Sequence, residues 1–216
     1  MPEVSQIAFF VAAAGVLAIT PGPGIFYVAA RTLAGGRAEG VASSFGTGLG
    51  GLFHVLAGAL GVSALVMASA ELFTVLKVLG ALYLAWLGVR TILGARGIGA
   101  LAALGADASP AVGTRRAFRE GMWVEALNPK TAAFFLAFIP QFVDPAAGSV
   151  PLQFIALGLV SVALNTGVDV VVAFGADRVR KKAVDHPDRV RRLQQASGGA
   201  MLALGVGLLF ARRPAA

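Results

Sequence analysis

The sequence predicts an all-α integral membrane protein with six transmembrane helices arranged as two inverted three-helix repeats. Three observations lead there: an excess of apolar residues, six long segments almost free of charge, and basic residues gathered in alternate connections. Apolar residues make up 57% of the 216 and charged residues only 13%, against roughly 25% charged in a soluble domain. A single soluble core of this length cannot bury so much apolar surface, so part of the solvent must be lipid.

A spanning helix needs about 20 mostly apolar residues. Residues 4–30 carry no formal charge and form the first span, interrupted at Pro21-Gly22-Pro23-Gly24. Residues 40–70, equally uncharged, form the second, and 72–89 the third, with Lys77 near its start. The fourth, 118–142, holds Glu125, Asn128, Pro129 and Lys130; the fifth, 150–176, holds Asn165 and Asp169. Residues 193–211 make an uncharged sixth. The Gly/Ala-rich stretch 97–105 is too short to span and reads as part of a flexible tether. The chain therefore divides into a first half at 1–95, a cytoplasmic linker at 96–117 and a second half at 118–216.

Basic residues set the orientation. Alternate loops hold Arg31 and Arg37; Arg90, Arg96, Arg115, Arg116 and Arg119; then Arg178, Arg180, Lys181, Lys182, Arg189, Arg191 and Arg192. The opposite side has only Arg212 and Arg213. The expected topology places these loops in the cytoplasm and both termini outside, in a bacterial inner membrane. Three helices per half is an odd number, so the second half enters from the opposite side. Such inverted repeats are the architecture of many secondary transporters.

The net charge of +7 lies in loops beside apolar segments, a topology signal and not a nucleic-acid stripe. The cytosolic loop at 177–192 can also meet anionic lipid heads. No basic region precedes the first apolar run, so no cleaved signal peptide is expected. With no cysteine and two distant histidines, neither disulfides nor a dedicated transition-metal site are expected. No nucleotide loop, hydrolase triad or HExxH pattern is present, so no cofactor and no enzyme activity are expected.

The chemistry centres on the broken helices. Proline lacks an N–H and clashes with the carbonyl four residues back. Pro21 and Pro23 thus free the carbonyls of Leu17 and Ile19, and Pro129 frees that of Glu125. In hydrocarbon each unsatisfied carbonyl costs several kcal/mol, so such breaks persist only where protein or water satisfies them. Thr20 to Gly24 and Asn128 to Lys130 expose half-helix ends suited to a carboxylate; a kink at a packed contact is the plainer alternative.

Charges within spans are the second signal. Asp169 shares a helical face with Asn165 and can carry a proton or meet a substrate ammonium. Lys130 can neutralise a substrate carboxylate or pair with Asp169. Glu125, about 140° around the helix from Lys130, is not expected to pair with it on one face, and is a second proton-coupling candidate. His54, in mid-span, is either a packing residue or a proton relay. Lys77 reads as snorkelling to the headgroups, and His186 as solvated. Gly46 and Gly50 have small-xxx-small spacing, which brings helices close within a monomer or across a homodimer.

These motifs together resemble the LysE/RhtB family of amino-acid exporters. The likeness runs through Thr20-Pro21-Gly22-Pro23, Gly35-Gly36-Arg37 with Gly40, and the glycine run from Gly46 to Gly50 followed by His54. It continues in Gly80-Ala81-Leu82-Tyr83-Leu84 with Trp86 and Gly88, Asn128-Pro129-Lys130, Pro140-Gln141-Phe142, and Gly198, Gly199 and Gly205. The resemblance implies proton-driven efflux of amino acids or derivatives, without ATP, by three-plus-three inverted helices. Many relatives carry a polar residue after the first Pro-Gly-Pro and another before the histidine region, where this chain has Gly24 and Gly51; that implies a less polar substrate.

The expected function is export of amino acids or their derivatives by alternating access between the halves. Thr20 to Gly24 with Asn128 to Lys130 would hold the carboxylate, and Asp169 or Glu125 the ammonium or coupling proton. The rivals are an exporter of a metal ion or other small solute, and a scaffold subunit without a substrate.

Overall fold

The computed structural model describes residues 4–68 and 111–182, with helical positions 74, 75, 78, 79, 82, 85, 86 and 89 between them. The rest of the third span, the linker up to 110, Lys77, His186 and the sixth span lie outside the described residues. All elements within them are helical: α1 (Val4–Ile19), α2 (Pro23–Gly35), α3 (Arg37–Ala68), α4 (Thr114–Ala126), α5 (Pro129–Ala133) and α6 (Val150–Lys182). One π turn (Phe134–Phe138) and two 3-10 turns (Ile139–Phe142, Pro145–Ala147) join α5 to α6.

The first span breaks where the sequence places the prolines. Helix α1 runs out at Ile19, Gly22 is extended, and Pro23 opens α2 in the first turn, where its missing N–H has no intrahelical partner to lose. The two pieces meet at 47° and together are long and apolar enough to cross a membrane. Helix α2 ends at Gly36, whose φ of 84° suits glycine, and whose N–H reaches the Thr32 carbonyl at 2.9 Å. Helix α6 is by itself long and apolar enough to cross a membrane: its apolar stretch Val150–Arg178 has 29 residues, about 44 Å at 1.5 Å per residue.

The fourth span departs from a single helix over 118–142. Helix α4 begins at Thr114, so Arg115, Arg116 and Arg119 belong to its first turns and not to a loop. It stops at Ala126, Asn128 caps α5, and after Ala133 the coil widens into the π turn before tightening at Pro140. Pro129 removes the N–H that would continue α4, and Pro140 does the same further on.

Burial is reversed relative to a soluble protein. Leu60, Leu152, Leu127 and Val171 are more than two-thirds exposed, whereas Thr20, Thr47, Glu125, Asn128, Lys130 and Asp169 are buried. That pattern suits a chain whose outer face meets lipid and whose polar groups turn inward. The hydroxyls of Thr20, Thr32, Ser43 and Ser44 donate to the carbonyl one turn back on their own helices, the usual way such residues are accommodated away from water.

Glycines set the helix spacing. Helix α3 packs on α4 with backbone against backbone: a Cβ at Gly46 would strike the Phe118 carbonyl, one at Gly50 the Met122 carbonyl, and one at Gly121 would lie 2.7 Å from the Ser43 carbonyl. The Gly46/Gly50 spacing thus serves packing within the monomer. On its other side α3 meets α6, with Gly51 facing Val162 and Gly58 facing Phe154. Beneath this seam lies an apolar core of Phe10, Phe134, Phe135, Phe138 and Phe154, with Leu17, Val55 and Ile139. Phe134 and Phe138 stack at 4.9 Å within the π turn, and Phe10 meets Phe142 edge-on at 5.2 Å, tying α1 to the first 3-10 turn.

Candidate functional site between two broken helices

The two proline breaks, 108 positions apart in sequence, face each other. Lys130 reaches from the second into the first: its Nζ donates to the carbonyls of Thr20 at 3.0 Å and Leu17 at 3.2 Å. A Cβ at Gly22 would come within 3.2 Å of the Lys130 chain, so glycine leaves the passage for it. Leu17 is one of the residues whose carbonyl Pro21 releases, and the lysine supplies the donor it lost.

The second break is closed in return. The Glu125 carbonyl accepts from the Asn128 N–H at 3.0 Å and from His54 at 2.8 Å. A carbonyl only accepts, so His54 holds its proton on Nε2 in this arrangement; its ring packs on Phe135. The Asn128 side chain accepts from the Lys130 N–H at 3.0 Å, capping α5. The Glu125 carboxylate accepts from Asn128 Nδ2 at 2.9 Å and from Thr131 Oγ1 at 2.6 Å. Gly24 stands directly beneath it: a Cβ there would be 2.8 Å from Oε2.

Asp169, fully buried, sits one turn along α6 from Asn165. Its Oδ2 lies 2.7 Å from Thr47 Oγ1, which also lies 2.8 Å from the Ser44 carbonyl. One hydroxyl proton cannot serve two acceptors in full, whereas a proton on Asp169 satisfies both contacts. Oδ1 has no hydrogen-bond partner among the described residues. Lys130 forms no ion pair with Asp169 or Glu125 there, since its ammonium is directed at the two carbonyls.

Between these groups runs a narrow cleft of about 10 Å³, room for about one water molecule. Glu125, Thr47, Thr131, Ser161 and Asn165 give it polar walls; Ala14, Leu17, Ala18, Phe135 and Val162 give it apolar ones. Of the residues singled out in the sequence, Thr20, Gly22, Gly24, Asn128, Lys130, Glu125 and His54 converge. Asn165 lines the cleft, Asp169 stands behind Thr47, and Pro21 and Pro23 serve as breakers at half-buried and exposed positions. Thr47, Thr131 and Ser161 were not singled out; their signal was the presence of hydroxyls inside apolar spans. Among the described residues no group of three or more His, Asp or Glu side chains is placed to hold a metal.

At the other end of α4, Tyr27 on α2 bridges the Ala117 carbonyl (3.1 Å) and Glu120 (3.0 Å), and Glu39 accepts the Gly113 N–H at 2.7 Å. Helices α2 and α3 are thereby fastened to the start of α4.

Helices with an apolar exterior, two breaks and a polar cleft between them define a membrane protein built around a central site. The chain belongs to the LysE type translocator family, whose model matches residues 15–212. It is 33% identical over 213 residues to an uncharacterized membrane protein of Pseudomonas aeruginosa, covering 97% of this chain and 94% of that one. It is 29% identical over 205 residues to the homoserine/homoserine lactone efflux protein of Salmonella typhimurium, covering 91% and 92%. A leucine efflux protein of Klebsiella pneumoniae is 28% identical over 159 residues, covering 72% and 71%. No solved structure matches the chain.

Proposed function

We propose that this translocator exports amino acids or close derivatives from the bacterial cytoplasm in exchange for protons, by alternating access between two inverted three-helix halves. The observation that carries the reading is the reciprocal closure of the breaks, with Lys130 bonded across to the Thr20 and Leu17 carbonyls beside a polar cleft. Broken helices facing one another at a central cleft are the usual setting for substrate and ion sites in secondary transporters. The efflux names carried by relatives that align over most of the chain support the direction and the substrate class.

In this reading Glu125 receives the substrate ammonium and Asp169 carries the coupling proton. The contact among Asp169, Thr47 and the Ser44 carbonyl supports the proton role, because a protonated carboxyl gives every partner its share. The positive-inside pattern supports basic loops in the cytoplasm and both termini outside.

The test is uptake of a panel of labelled amino acids into everted membrane vesicles, with and without an uncoupler. Accumulation of one or a few, abolished by the uncoupler, is the expected result; no accumulation in vesicles containing the protein would remove the reading. Asp169→Asn is expected to lose uphill accumulation while retaining downhill exchange. Full accumulation with an unchanged pH profile would take the proton role from Asp169.

A further inference from the structure

A cleft with room for about one water molecule is closed to any larger cargo, so a wall has to move before anything can enter. Under alternating access, on which this inference rests, one wall moves on the cytoplasmic side and another on the outer side. Helices α3 and α4 are poorly suited to the first role. Main chain lies against main chain at Gly46, Gly50 and Gly121, and the buried Glu39 carboxylate takes the Gly113 N–H just before α4. The end of α1 is held as well, because its Leu17 carbonyl and that of Thr20 both meet Lys130.

Helix α2 differs. It is a 13-residue piece between two joints, the extended Gly22 flanked by prolines and Gly36 at φ 84°. Hinges are commonly a few residues at the ends of elements, where a change in φ and ψ can be absorbed. The first turn of α2 covers the centre: a Cβ at Gly24 would lie 2.8 Å from Glu125 Oε2 and 3.8 Å from Thr47, both of them cleft walls. Further along, α2 rests on α3 through Thr32 over Gly40, a seat with no side chain to interlock. Lifting α2 therefore uncovers Glu125 without parting the glycine seam.

One side chain in the middle of α2 fastens it to α4. The Tyr27 hydroxyl lies 3.1 Å from the Ala117 carbonyl and 3.0 Å from Glu120 Oε2. Arg116 takes the other Glu120 oxygen at 2.6 Å and so keeps Glu120 turned to the tyrosine. Arg116 and Glu120 are both open to solvent, so water can replace the contact when it parts. We propose that α2 is the cytoplasmic gate of the cleft, swinging on Gly22 and Gly36 and latched shut by the Tyr27 hydroxyl on Ala117 and Glu120.

The chain has no cysteine, so a single Ser161→Cys reports on the cleft, which Ser161 lines at 5% exposure. The full-length protein is labelled with a charged, membrane-impermeant methanethiosulfonate, from the cytoplasmic face in everted vesicles and from the outer face in right-side-out vesicles. Tyr27→Phe keeps the ring and removes the hydroxyl. It is expected to speed cytoplasmic labelling at least about threefold, as loss of one net hydrogen bond allows, and to leave outer labelling unchanged. Glu120→Ala leaves Tyr27 only the Ala117 carbonyl; a smaller acceleration of the same sidedness is expected, and this variant decides if Tyr27→Phe does not insert. Unchanged cytoplasmic labelling overturns the gate, as does acceleration from the outer face alone or from both faces, the mark of general loosening. Labelling needs no cargo and is read separately from uptake. One-sided acceleration in vesicles that accumulate no amino acid retains the gate and removes the amino-acid cargo.

Discussion

Lys130→Met is expected to abolish export and to reduce the folded protein recovered from membranes several-fold. The ammonium donates to two main-chain carbonyls at a break where α1 can supply no further N–H. Methionine fills nearly the same volume but donates nothing, leaving the Thr20 carbonyl and one lone pair of the Leu17 carbonyl without this donor. An unsatisfied backbone group costs several kcal/mol in hydrocarbon, a large share of the roughly 5–15 kcal/mol that holds a domain together. Loss of the cation also leaves Glu125 and Asp169 without the positive charge nearest to them. Lys130→Arg is expected to recover part of the folded yield, because the charge and donors remain, but little transport, because the guanidinium is bulkier than the channel that Gly22 provides. Detergent-extracted yield by fluorescence-detected size exclusion, measured beside vesicle uptake, separates the two effects. Wild-type yield and uptake in Lys130→Met would show that the cross-connection is dispensable.

Gly46→Leu is expected to be as damaging, for a steric reason. Any side chain at Gly46 points into the Phe118 carbonyl, and a backbone atom of a packed helix cannot turn aside as a flexible side chain can. Helices α3 and α4 would have to separate, carrying with them Gly50 against Met122 and Gly121 against Ser43. Overpacking commonly costs about 1–3 kcal/mol where side chains can adjust, and here the obstacle is main chain. Gly15→Ala provides the contrast. Nothing lies within 4 Å of a Cβ at that position, and replacing a mid-helix glycine with alanine favours the helix by roughly 0.5–1 kcal/mol. Thermal melting of the two purified variants is expected to separate them clearly, with Gly46→Leu far below wild type and Gly15→Ala at or above it. Equal melting temperatures would remove the seam from the account.

Much of this centre was legible in the sequence because proline chemistry is local. Pro21, Pro23 and Pro129 mark the breaks whatever surrounds them, and the carbonyls of Leu17 and Glu125 are identifiable by counting back four residues. Which groups answer those carbonyls is a matter of tertiary placement. Lys130 and His54 were each visible as polar residues in apolar spans, but the sequence left Lys130 divided between Asp169 and a substrate carboxylate, and His54 between packing and proton relay. Thr47 and Thr131 passed unnoticed because a threonine in a membrane helix can satisfy itself on its own backbone, as Thr20 and Thr32 do. The Gly46/Gly50 pair announced close approach without saying to what. Helix α4 starts at Thr114, four residues before the span that begins at 118, because a helix of mixed charge can project beyond the hydrocarbon.

The bond from Lys130 to the first break also has a consequence for how the protein is made. The lysine follows the carbonyls it serves by 113 and 110 residues. At roughly 5–20 residues per second of synthesis, the leading helices wait about 5–25 s in the translocon or membrane before their missing donor leaves the ribosome. Throughout that interval the carbonyls of Leu17 and Thr20 are without the Lys130 ammonium that meets them in the finished chain. A chain truncated within the linker therefore keeps its first break without the donor that closes it in the complete protein.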